Sequence, residues 1–200
     1  MDYRACFDYL VKRRTQEIVI TSAGTSSQMW HDLTHSFDRV FYLDASMSLV
    51  SMFGAGIALG LPETPIWAFS GDGAVSMNPG MFMVENELKT HLRNVTHFIV
   101  SNRVYGAASE VPLPNAFSND YADMAKSMGI KRAYSFNNLS GLQAEFDNLV
   151  NSGEYTVVVL EVDSLGTPLP GVHIEPAELK YRFGRSIEAS TGIRVFDSPD

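Results

Sequence analysis

Residues 70–80 read "SGDGAVSMNPG" and follow directly on the apolar run "PIWAF" (65–69). A short apolar run without alternation marks a strand buried on both faces, the habit of parallel sheets. An aspartate set between two glycines at the end of such a strand puts a carboxylate where backbone N–H groups can approach an anion closely. A second apolar run, "VTHFIVS" (95–101), leads into "NRVYG", with Asn102 standing 30 positions after Asp72. Both side chains are hard oxygen donors, suited to Mg²⁺ bridging to phosphates. Ligands of doubly wound sheets bind beyond the carboxyl ends of the strands, so the pair predicts a metal–diphosphate cradle.

Further apolar runs surround this pair: "EIVIT" (17–21), "VFYL" (40–43), "KRAYS" (131–135) and "YTVVVLEV" (155–162). Helical patterns lie between them, over 25–36, 48–60 and 77–91. Another has Tyr121, Met124, Ala125 and Met128 on one face, with Asn119 as N-cap and Gly129 as the stop. A further helix starts at Ser140 with a capping-box spacing to Gln143. Six strands alternating with helices predict an α/β, doubly wound, mainly parallel six-stranded sheet flanked by helices. Four loops fall at strand ends, 22–27, 44–48, 71–77 and 101–106, and three of them carry glycine.

Composition narrows the partners. The chain of 200 residues carries a net charge of −8, which argues against nucleic acid or an anionic membrane surface. Its lone cysteine, Cys6, forms no intramolecular disulfide and suits a reducing compartment, which gives a cytoplasmic expectation with no signal peptide and no membrane span. The dinucleotide fingerprint fails, because Ser76 stands where its third glycine belongs, and the loop has no phosphate-binding GK[ST]. "HDLTH" (31–35) spaces two histidines like a zinc helix, yet no third ligand is evident and a pocket-edge helix face is the expectation. Met52, Met77, Met81 and Met83 read as core or interface, and His91, His97 and His173 as structural or surface.

"GDG" followed by an asparagine at the end of the next strand is similar to the signature of thiamine-diphosphate enzymes. The stretch "FYLDASMSLVSMFGAGIALGLPETPIWAFSGDGAVSMNPG…RNVTHFIVSNRVYG" resembles the diphosphate-binding half of the 2-oxoacid decarboxylases. It is most like the split sulfopyruvate decarboxylases and phosphonopyruvate decarboxylase, and "TSSQMW" resembles benzoylformate decarboxylase. The likeness runs from about residue 17 to about 163. It implies the thiamine-diphosphate-binding fold over 1–163, with 164–200 as an extension that lies on this domain or on a partner.

The resemblance also implies roles. Asp72 and Asn102 would hold Mg²⁺ by side chain and Val104 by its carbonyl. Gly73 and Ala74 would offer N–H groups to the diphosphate, with Gly24 and Thr25 opposite and Gly71 and Gly106 in the flanking turns. Met47 would wedge the cofactor into its bent form, the Ala45 carbonyl would hold its amino group, and Tyr105 would lie near the thiazolium. Departures from the family pattern are "GDGA" for "GDGS", "DASMS" for a glycine-rich turn, and Ser101 before the metal-binding asparagine. The activating glutamate of the family has no counterpart: Glu63, Glu85, Glu87 and Glu110 lie outside any matching context. A pyrimidine-binding (alpha) partner subunit, in an α₂β₂ type of assembly, would supply it, and the chain by itself would be inactive. The implied reaction releases CO₂ from a 2-oxo acid through a C2 enamine to give an aldehyde. The alternatives are a carboligase of the acetolactate-synthase or acyloin-forming kind, or a non-catalytic regulatory subunit.

Overall fold

The computed structural model describes residues 1–106 and 110–196. The last four residues of the expected C-terminal extension lie outside the described residues. Six parallel strands form one sheet: β1 (Ile18–Ser22), β2 (Val40–Leu43), β3 (Ile66–Gly71), β4 (Val95–Ser101), β7 (Ala133–Phe136) and β8 (Thr156–Glu161). Their order is β2-β1-β3-β4-β8-β7. A two-stranded ribbon, β5 (Val104–Tyr105) with β6 (Val111–Pro112), follows β4 and has no counterpart in the sequence expectations.

Successive side chains of a strand face opposite layers, which explains the unbroken apolar runs. Ile18, Ile20, Ile66, Ala68, Val157 and Val159 enter one core. Val19, Trp67, Phe69, Phe98, Val158 and Leu160 enter the other. The first core lies under α3 (Val50–Gly60), α5 (Met81–Leu88), α6 (Tyr121–Ser127) and α8 (Pro176–Thr191). The second lies under α1 (Tyr3–Arg13), α2 (Thr25–Thr34) and α7 (Leu139–Val150). Within it Phe98 stacks on Phe69 with centroids 4.8 Å apart and meets Trp67 edge-on at 5.8 Å. Phe98→Ala will lower unfolding stability by about 3–5 kcal/mol in a urea titration, because the fixed rings around it cannot close the hole.

Three local expectations are corrected. The helix expected over 77–91 is shorter: α4 (Asp72–Met77) stops at Asn78 (φ −149°), the residue before Pro79, and α5 (Met81–Leu88) is the helix inside that span. Proline excludes its predecessor from helical backbone and has no N–H to give. The cap of α6 is Asp120, whose carboxylate accepts from the Asp123 N–H at 2.8 Å, while the Asn119 amide donates to the Pro114 carbonyl. The cap of α7 is Asn138, accepting from the Gly141 N–H at 2.8 Å, and Ser140 merely donates to that same oxygen. The first cap falls one position after the expected residue and the second two positions before it, and each is an Asp or Asn whose side-chain oxygen reaches the N–H three residues on.

α8 packs against the β2 side of the sheet. Leu179, Phe183 and Ile187 are buried, Phe183 meets Phe41 at 5.1 Å, and the Arg39 N–H donates to Ser186 Oγ at 2.7 Å. Gly184 lets the Phe196 ring lie against the helix, where a Cβ would push that ring aside. No helix of the described residues is long and apolar enough to cross a membrane.

Candidate active site

β1 has neighbours on both sides, β2 and β3. The chain leaves β1 toward β2 and then crosses to the other side for β3, so the connections at their carboxyl ends diverge. Such a switch point opens a crevice. The β1–α2 turn forms one wall, with Gly24 at φ 95°, ψ −145°, a backbone state open to glycine. α4 and the turn after β4 form the other.

Asp72 is the first residue of α4 and is 2 % exposed. Its Oδ1 accepts from the Gly73 N–H at 2.8 Å. Its Oδ2 accepts from the Arg103 N–H at 2.7 Å and from Ser101 Oγ at 3.3 Å. Burial pushes the Asp72 carboxyl up to about 6, against the opposing pull of these hydrogen bonds and the Arg103 charge. Arg103 adopts a left-handed φ of 66° and pairs its guanidinium with Glu161 at the end of β8, which pins the turn that carries Asn102. The Asn102 Oδ1 accepts from the Val104 N–H at 3.3 Å.

Gly24, Thr25, Met47, Gly71, Asp72 and Gly73 line one cleft with Ala74, Asn102, Val104, Tyr105 and Gly106. The walls press together: a Cβ on Gly106 would sit 2.6 Å from Thr25 Oγ1, and one on Gly73 would sit 2.9 Å from the Tyr105 ring. Ala45 lies elsewhere, on a neighbouring cavity shared with Gly24, Asp44 and His173. Met47 heads a 3₁₀ turn (Met47–Leu49) entered through Ser46 at φ 58°, and its carbonyl accepts from Ser22 Oγ at 3.4 Å. Tyr3 and Val100 also line the cleft and were not anticipated, while Ser22, Ser26 and Met77 line it from within the expected strand-end loops without having been singled out. Tyr3 comes from a helix with no motif of its own, so nothing in its local sequence marks it. Met77 and Val100 flank the two motifs, and their spacing could have flagged them.

Other expectations divide. Met81 is buried and Met52 packs against the first core, while Met77 and Met83, 56 % and 64 % exposed, are left to the interface half of the expectation. His97 is structural: it is buried, its Nε2 meets Ser70 Oγ at 2.8 Å, and its Nδ1 sits 3.3 Å from Glu85 Oε1. Burial by itself would raise the Glu85 carboxyl, yet His97, with Ser51 and Tyr155, holds it below its ordinary value. The His31 and His35 rings lie edge to face at 5.8 Å, and among the described residues no group of three or more His, Cys, Asp and Glu could hold a metal. The zinc reading lapses.

The residues suit a metal–diphosphate pair. One buried carboxylate, one carboxamide and the Val104 backbone offer oxygen donors only, and Mg²⁺ takes one or two carboxylates together with phosphate oxygens. The Gly73 N–H is engaged with Asp72, so the Ala74 N–H of α4 and the uncapped first turn of α2 are the backbone donors that face the cleft. Residues 23–160, which hold every one of these loops, match the model of the thiamine pyrophosphate enzyme, C-terminal TPP binding domain.

The chain belongs to that family. Thiamine diphosphate is therefore its cofactor. The chain is 30% identical over 179 residues to the sulfopyruvate decarboxylase subunit beta of Methanococcus maripaludis, covering 90% of this chain and 94% of that one. It is 26% identical over 175 residues to the subunit beta of Methanocaldococcus jannaschii, covering 88% and 90%. Its fold superimposes on benzoylformate decarboxylase from Polynucleobacter necessarius with a TM-score of 0.65 at 14% identity, over 84% of this chain and 34% of that chain.

Proposed function

We propose that this chain is the diphosphate-binding subunit of a two-component, cytoplasmic 2-oxoacid decarboxylase that acts on sulfopyruvate or a close acidic relative. One observation supports it above the others: Asp72, Asn102 and the Val104 backbone converge on the β1–β3 crevice within the segment that matches the family model. Bound there, thiamine diphosphate supplies an electron sink for the pair left behind when CO₂ departs. Asp72 and Asn102 would hold Mg²⁺, the first turn of α2 would offer N–H groups to the diphosphate, and Met47 and Tyr105 would set the cofactor's posture. The cleft encloses about 130 Å³, below the range in which a pocket surrounds a ligand of this size, so a second surface closes it. An alpha subunit bearing the activating glutamate is that surface, in an α₂β₂ assembly.

The test supplies the assembled enzyme with Mg²⁺, thiamine diphosphate and sulfopyruvate, and follows CO₂ and aldehyde. Stoichiometric CO₂ with one aldehyde per turnover is the expected result. A condensed product formed only when a second carbonyl compound is present identifies a carboligase instead.

A further inference from the structure

The cleft draws one wall from outside the strand-end loops. Tyr3, in the first turn of α1, lies in the second apolar core, where its ring stacks on Phe7 at 5.1 Å and is 2 % exposed. Tyr3 lines the cleft, and its hydroxyl meets the Oγ of Ser26, another lining residue, at 3.3 Å. Ser26 is the second residue of α2, whose first turn has no side-chain cap. Across the cleft the Ala74 side chain is only a methyl group.

We propose that Tyr3 is a cofactor-binding residue, whose phenolic hydroxyl, set by Ser26, donates to a diphosphate oxygen at the uncapped start of α2. This rests on the cofactor reading above. The chemistry of the wall favours it. No Lys, Arg or His lines the described cleft, so the anion is met by the metal and by neutral donors. A phenol has one proton to give and accepts at its oxygen, so Ser26 can donate to Tyr3 while Tyr3 donates to phosphate. Burial and the nearby Asp72 charge push the Tyr3 hydroxyl well above its ordinary range, so it keeps its proton at every working pH. A neutral donor is also the type that sits beside a buried carboxylate without titrating it.

The test titrates Mg²⁺–thiamine diphosphate into the assembled enzyme by calorimetry. Tyr3→Phe, which leaves the stacked ring in place, will weaken binding about tenfold, as loss of a hydrogen bond to a charged group does. Adding Ala74→Ser puts a hydroxyl on the facing wall and will restore most of that loss. The thermal midpoint will stay within a few degrees in both variants. Equal affinity in Tyr3→Phe overturns the inference and leaves the cofactor reading standing. A loss that tracks a lowered midpoint and that Ala74→Ser does not restore overturns it as well, since the role is then structural. If the wild-type assembly takes up no cofactor, both fall together.

Discussion

Asp72→Ala will abolish Mg²⁺-dependent retention of thiamine diphosphate, with affinity falling at least hundredfold, a loss of about 3 kcal/mol. Asp72 is the sole carboxylate among the described residues of the cleft, and an amide and a carbonyl by themselves give the metal no charge to neutralise. The same group sets a pH dependence. Burial lifts its pKa from 3.8 to about 6, so the folded chain holds the proton more tightly than the unfolded chain does. Its effect on the metal-free fold is therefore destabilising, by about 3 kcal/mol at most. That penalty is full above pH 6, shrinks as the pH falls toward 3.8, and is gone below it. A metal ion competes with the proton for the same oxygens, so cofactor affinity will fall as the pH drops below about 6. Isothermal titrations between pH 5 and pH 8 check this. Unchanged affinity in Asp72→Ala, or binding that strengthens toward pH 5, would sink the metal assignment.

Supplied with Mg²⁺, cofactor and 2-oxo acid but no partner, the chain will release CO₂ at no more than the background rate. Addition of the alpha subunit will raise the rate until the two are equimolar. The glutamates explain the expectation. Glu63 and Glu87 are exposed, and Glu85 is locked against His97 in the core. Glu110 is occupied by the Ser164 hydroxyl and, at 3.0 Å, by the Gly166 N–H. None of them lines the cleft. Proton traffic at the cofactor then needs a glutamate that the described residues do not place there. Turnover by the isolated chain at a rate comparable with the mixture would contradict the split-site reading.

Much of the fold was legible in the sequence because burial on both faces leaves a strong local record. "VFYL" and "VTHFIVS" match β2 and β4 residue for residue. What escaped depended on contacts distant in sequence, or on single backbone choices. Asn119 and Asp120 are equally good caps on paper, and only the pull of the Pro114 carbonyl on the Asn119 amide separates them. The β5–β6 ribbon is two residues a side, too short to carry a period. At the site, the glycines and oxygen donors announced themselves by order and spacing. Tyr3 did not, since its place is set by how α1 lies across the sheet. Ala45 shares a turn with Met47, yet the left-handed Ser46 between them sends the two to different cavities.

α8 bears on how the molecule avoids its own kind. β2 ends the sheet, and a terminal strand offers its free amides and carbonyls to any passing strand. By laying Phe183 on Phe41 and catching the Arg39 amide with Ser186, the helix shields that border. Because α8 is synthesised after every strand, a nascent chain carries its border bare until the helix arrives. Self-association through β2 is therefore a hazard of translation, one that α8 removes at this border, while β7 remains the terminal strand at the other.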